Sequence, residues 1–198
     1  MSTTEKIKRL NMKGVRLTSE EDWVNITISD QEIQNGIDIG TYQEEESKRR
    51  GLNDRSFSGD EGDSLLRSIT AKQAEYAVQK YGGGTARVTQ VNEFHDFPDV
   101  GLVNVRYTFN PGYGMIITKR DQGKVPMILL TGKSPNFKLM GWCIPDYSKQ
   151  AIYKIHQGRN EECETEFGFL QEMKDHEACQ VNMQMLLPMS SFNKELLK

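Results

Sequence analysis

The apolar positions of the chain change period twice. From Leu17 to Asn35 short apolar runs (Trp23-Val24, Ile26, Ile28) mix with Asn, Asp and Ser and settle on neither a helical nor a strand period. This stretch is expected to be irregular, with one short strand over Val24–Ile28. From Ser64 to Tyr81, Leu65, Leu66, Ile69, Ala74, Ala77, Val78 and Tyr81 form one broad stripe at helical spacing, and Gly82-Gly83-Gly84 supplies the stop. That helix carries Lys72, Glu75 and Tyr76 at the margin of its apolar stripe, where polar groups can line a cleft between helix and sheet. Beyond Thr85 the period shortens to that of strands, over Arg87–Phe94, Leu102–Phe109, Gly114–Thr118, Val125–Leu130 and Phe137–Ile144. Turn chemistry such as Asn-Pro-Gly-Tyr and Thr-Gly-Lys-Ser-Pro-Asn separates them, which predicts an antiparallel meander.

Between these regimes, Tyr42–Arg50 suits a short exposed helix in which Glu44, Glu45 and Glu46 reach Lys48, Arg49 and Arg50, with Gly51 ending it. Leu52–Asp63 is rich in Asn, Asp, Ser and Gly and reads as a long loop. After Pro145 a short helix is expected over Tyr147–His156 and a final strand over Val181–Pro188. The expected fold is α+β, a sandwich-like α/β/α arrangement in which helices flank a central, mostly antiparallel β-meander. Residues 1–63 form an irregular and helical region packed on the core, 64–149 the core itself, and 150–198 a C-terminal helix and strand that complete the same domain.

With 198 residues, 36% of them hydrophobic and 27% charged, the chain is long enough for one domain with a sizeable core. It has no apolar run of the roughly 18 to 20 residues that span a bilayer, and MSTTEKIKRLNMKGVR lacks the apolar stretch of a signal peptide. A soluble cytoplasmic protein is expected. Three cysteines, Cys143, Cys163 and Cys179, are an odd number set far apart, which fits a reducing compartment better than a disulfide framework. A net charge of −3 argues against coating nucleic acid through overall positive field. The charge is uneven, however. Lys6, Lys8, Arg9, Lys13 and Arg16 face only Glu5 in residues 1–16, whereas residues 161–177 hold seven acids against Lys174. Two solvated faces are the plain reading, with the basic end a candidate phosphate-contacting arm.

The candidate chemistry lies in Pro98-Asp99-Val100-Gly101-Leu102-Val103-Asn104-Val105-Arg106. Strand alternation puts Asn104 and Arg106 on one face and Val103, Val105 and Tyr107 on the other. Asp99, in a Pro-Asp-x-Gly turn, is placed to converge on the polar pair, a geometry suited to a small metal or phosphate site. The plainer alternative is an Asx turn beside a solvated strand face.

These residues resemble the PD-(D/E)XK nucleases, in the order Glu75 on a helix, Asp99 at a strand end and Asn104-x-Arg106 on the next strand. The stretch His95–Lys149, with Asp99-Val100-Gly101, Ile128-Leu129-Leu130-Thr131-Gly132 and Gly141-Trp142, is similar to a group of phage-encoded nuclease-like proteins with an amide-x-Arg triplet. The resemblance covers residues 64–149. It implies a restriction-endonuclease-like core and metal-dependent DNA phosphodiester hydrolysis, with Glu75, Asp99 and Asn104 holding Mg²⁺ or Mn²⁺ and Arg106 orienting phosphate. Asn104 offers a neutral carbonyl where the family has a carboxylate, and Arg106 a guanidinium suited to clamping phosphate rather than moving protons. The rival expectation is therefore a non-catalytic phage accessory or inhibitory protein that binds DNA or a host protein, monomeric or as a homodimer. Glu93 and Asp96 are alternative acids for the site, and Arg55, Arg67 and Lys72 are candidates to border a DNA groove.

Other features rank lower. Cys143, Cys163, His176 and Cys179 contain no Cys-x-x-Cys knuckle for zinc. Gly82-Gly83-Gly84-Thr85 ends a helix rather than opening one, so it is a cap and not a phosphate loop. Trp142 is read as core.

Overall fold

The computed structural model describes residues 18–51, 61–88, 98–111, 114–118, 121, 125–145, 163–164, 168–170, 178–181, 183 and 186–198. Strand β1 (Val24–Thr27) is followed by helix α1 (Asp30–Arg49) and helix α2 (Glu61–Tyr81), then β2 (Asn104–Thr108), β3 (Met115–Thr118), β4 (Met127–Lys133) and β5 (Asn136–Cys143). Three short strands, β6 (Cys163–Glu164), β7 (Gly168–Leu170) and β8 (Ala178–Val181), precede two 3₁₀ turns near the C-terminus. The fold is mixed α+β. No helix among the described residues is long and apolar enough to cross a membrane.

Helix α1 is longer than the expected Tyr42–Arg50 segment and takes in residues 30–35, the end of the stretch read as irregular. It begins at a capping box. Ser29 Oγ accepts from the Glu32 backbone N–H at 3.3 Å, while the Glu32 carboxylate accepts from the Ser29 backbone N–H at 2.6 Å. Its fully buried positions are Gly36, Gly40 and Glu46, with Ile33 and Ile39 half-buried against the core, so the closest approach is marked by missing side chains. Helix α2 lies against those glycines and ends as the sequence predicts. The Gly82 and Gly84 backbone N–H groups close on Val78 O at 3.1 Å and Gln79 O at 2.9 Å, and Gly83 and Gly84 take φ of 105° and 80°.

The strands depart from a meander. One sheet has the order β1-β5-β4-β2 and a second the order β3-β8-β7-β6. β2 and β4 are parallel, with Val105 beside Ile128 and Arg106 beside Leu129, because the chain leaves the first sheet between them to form β3. The physical reason is visible in β4, whose Met127–Leu130 run is buried on both faces. Ile128 and Leu130 join Val105, Ala74, Ala77 and Val78 in the core beneath α2, whereas Met127 and Leu129 pack with Met115, Ile117, Met140 and Val181. A strand covered twice needs two layers. Among the described residues, the second layer is the small sheet and not a helix, unlike the expected α/β/α order.

Of the expected strand Arg87–Phe94 only Arg87 and Val88 are described, Val88 as a bridge to Val100. The expected helix Tyr147–His156 lies outside the described residues. Among the described residues the last strand is Ala178–Val181, earlier than the expected Val181–Pro188, of which residues 182, 184 and 185 lie outside the described residues and Leu187 is bridged to Trp142.

Candidate functional site

Helix α2 supplies two ionic groups to the interior. Lys72 is 2% exposed and Glu75 6%, and the Lys72 ammonium lies 2.9 Å from both carboxylate oxygens of Glu75. Helical spacing of i and i+3 makes the contact local. Lys72 is thus held inside the fold and not at the rim of a DNA groove. Burial pushes the Glu75 carboxyl up to about 8; the Lys72 charge pulls it back, the Asp99 charge adds to the rise and Arg106 opposes it.

Glu75, Asp99 and Arg106, three of the sequence candidates, are close enough that the Asp99 and Arg106 charges act on the Glu75 carboxyl. β2 is the edge strand of its sheet, and its pairing with β4 turns the Val105 peptide groups outward. The Asp99 carboxylate Oδ2 accepts the Val105 N–H at 2.7 Å. Arg106 folds back on the same edge and donates Nη1 to the Val105 carbonyl at 3.1 Å. Its Nη2 donates to Asp121 Oδ1 at 2.6 Å, and Nη1 lies 3.9 Å from Asp99 Oδ2. Asp121 was not a sequence candidate. It sits in a run of turn residues fifteen positions beyond Arg106, a separation with no motif to mark it.

Asn104 does not join Glu75. It pairs with Met127, on the face covered by the second sheet, while α2 covers the face that carries Val105. The sheet therefore stands between the Asn104 amide and the Glu75 carboxylate. A divalent ion held by Glu75, Asp99 and Asn104 does not fit this arrangement. Lys72 occupies both Glu75 oxygens, Asp99 Oδ2 and the Val105 carbonyl are engaged on the strand edge, and Asn104 faces the other way. Among the described residues no group of three His, Cys, Asp or Glu is placed to hold a metal.

Arg67 is half-buried on α2. Arg55, Glu93, Asp96, His156 and His176 lie outside the described residues. Of the cysteines, Cys143 is half-buried on β5 with Sγ 3.5 Å from Met115 Sδ. Trp142 is half-buried against the core, packs edge-to-face on Phe192 at 5.5 Å and donates Nε1–H to Ser191 Oγ at 3.1 Å.

The Glu75 carboxyl makes stability depend on pH. A folded-state value near 8 against an ordinary 4.5 means that its contribution is full below about pH 4.5 and is lost as pH rises towards 8. Urea unfolding of the wild type and Glu75→Gln is expected to show the wild type losing stability relative to the variant between about pH 5 and pH 8. A difference that stays constant across that range would return the carboxyl to its ordinary behaviour.

No protein-family model matches the chain, and no curated protein or solved structure matches it significantly.

Proposed function

We propose that the chain is a nuclease-like module that binds DNA without hydrolysing it. The observation that carries the non-catalytic half is the position of Arg106, whose guanidinium lies among Asp99, Asp121 and the Val105 carbonyl. Metal-assisted hydrolysis needs oxygen donors free to enclose a hard cation and to hold a water against it. Here the oxygens nearest the Asp99 turn already serve backbone and guanidinium donors. DNA as the ligand class rests on the resemblance of Glu75, Asp99 and Asn104-x-Arg106 to nucleases, and on the five cations set against Glu5 in residues 1–16.

Fluorescence anisotropy with labelled duplex, single-stranded and branched DNA tests the ligand. The expected result is binding that survives a chelator and weakens steeply with salt. Absence of salt-dependent association with all three would remove DNA and turn attention to a protein partner, towards which the acidic run in residues 161–177 points. The second reading, an Mg²⁺- or Mn²⁺-dependent nuclease, is favoured by the electrostatic contact of Glu75 with Asp99. It requires Arg106 and Lys72 to give up their carboxylates when substrate arrives.

A further inference from the structure

We propose that Arg106 is the resident counter-ion of a latent divalent-cation site, and that its fixed charge is what keeps metal out of the folded protein. This rests on the non-catalytic half of the proposed function and deepens it, without depending on any nucleic acid. Three oxygens from separate parts of the chain converge on one guanidinium: Asp121 Oδ1 at 2.6 Å, the Val105 carbonyl at 3.1 Å and Asp99 Oδ2 at 3.9 Å. Two carboxylates and a carbonyl are the hard donors that Mg²⁺, Mn²⁺ and Ca²⁺ take. The donor chemistry therefore suits a dication, but the position is filled by a side chain.

Burial makes that side chain necessary. The Asp121 side chain is 8% exposed and that of Asp99 23%, so both carboxylates are largely withdrawn from water and call for a nearby positive charge. Arg106 meets this need with a planar fork that reaches Asp121 and the carbonyl at once. A dication would have to enter beside a fixed cation or expel it, and exclusion follows from charge. Asp99 is also aimed independently of Arg106, because its Oδ2 accepts the Val105 N–H at 2.7 Å. Deleting the guanidinium is thus expected to leave Asp99 in place.

Mn²⁺ titration, followed by the EPR signal of the free ion and by thermal melting, tests this on the full chain without DNA. Wild type is expected to leave the signal and the melting temperature unchanged at about 1 mM Mn²⁺. Arg106→Met keeps an apolar stem and removes the charge, and is expected to bind at least about tenfold more tightly than wild type. The double variant Arg106→Met/Asp121→Asn should lose that gain. Wild-type binding that disappears in Asp121→Asn would overturn the proposal, as would an Arg106→Met protein that is folded by circular dichroism yet indifferent to Mn²⁺. If Arg106→Met does not fold, Arg106→Gln serves the same arm, and the wild-type titration stands alone. A chain that fails to bind DNA but whose Arg106→Met variant takes up Mn²⁺ would keep this inference and lose the proposed ligand.

Discussion

Glu75→Leu is expected to destabilise the fold by about 3–5 kcal/mol, and adding Lys72→Met is expected to recover most of that loss. The Lys72 side chain is 3% exposed, and both oxygens of Glu75 lie 2.9 Å from its ammonium. Removing the carboxyl takes away both oxygens that accept from the buried Lys72 ammonium. Replacing both groups with apolar side chains removes the charge together with its partner. The reverse single variant, Lys72→Met, is expected to cost less near neutral pH, because a carboxyl already pushed up to about 8 can take a proton and become neutral. Denaturant unfolding of the four proteins forms a double-mutant cycle that measures the pair. Equal costs for the two single variants, or no recovery in the double, would contradict this account of the pair.

Gly40→Leu is the second large effect. A Cβ at Gly40 would stand 2.6 Å from Ile69 Cα and 2.7 Å from Ile69 N, and backbone cannot rotate away. At Gly36 a Cβ would meet Gln73 Cγ at 2.5 Å, the movable part of a side chain, although that side chain also donates Nε2–H to the Ile33 carbonyl at 3.2 Å. Gly40→Ala is expected to cost about 2–3 kcal/mol and Gly40→Leu more, whereas Gly36→Ala should cost about 1 kcal/mol, since alanine recovers some helix propensity. Thermal melts of the three variants check the order. Gly36→Ala proving worse than Gly40→Ala would show that the helices approach most closely elsewhere.

Those glycines also explain what the sequence could not disclose about α1. A helical face is read from apolar residues that recur every three or four positions, but α1 meets its neighbour through Gly36 and Gly40, which carry no hydrophobic signal and weaken helix propensity. The capping box at Ser29 and Glu32 was legible but lay inside a stretch without a clear period. Helix α2 was readable because Ala74, Ala77 and Val78 form an ordinary apolar stripe closed by three glycines. The strands were legible one by one, whereas their partners were not. The doubly buried run Met127–Leu130 looks the same in a meander as in a strand with a parallel neighbour, and only long-range packing decides between them.

At the site, strand alternation correctly separated Asn104 and Arg106 from Val105. It could not tell which face α2 would cover, and that choice put Asn104 opposite Glu75. Asp121 escaped notice because a loop acid becomes part of a cluster only when the fold brings it to Arg106. The flexible stem of an edge-strand arginine adds a further freedom that alternation does not describe: Arg106 begins on one face and its guanidinium ends on the strand edge.

Labelled DNA incubated with protein in excess, in Mg²⁺ or Mn²⁺ and over a time that detects a single turnover, addresses the central claim that the Asp99 cluster is neutralised from within. Substrate that stays intact while remaining bound is the predicted result. Metal-dependent cleavage that Asp99→Ala abolishes would contradict it.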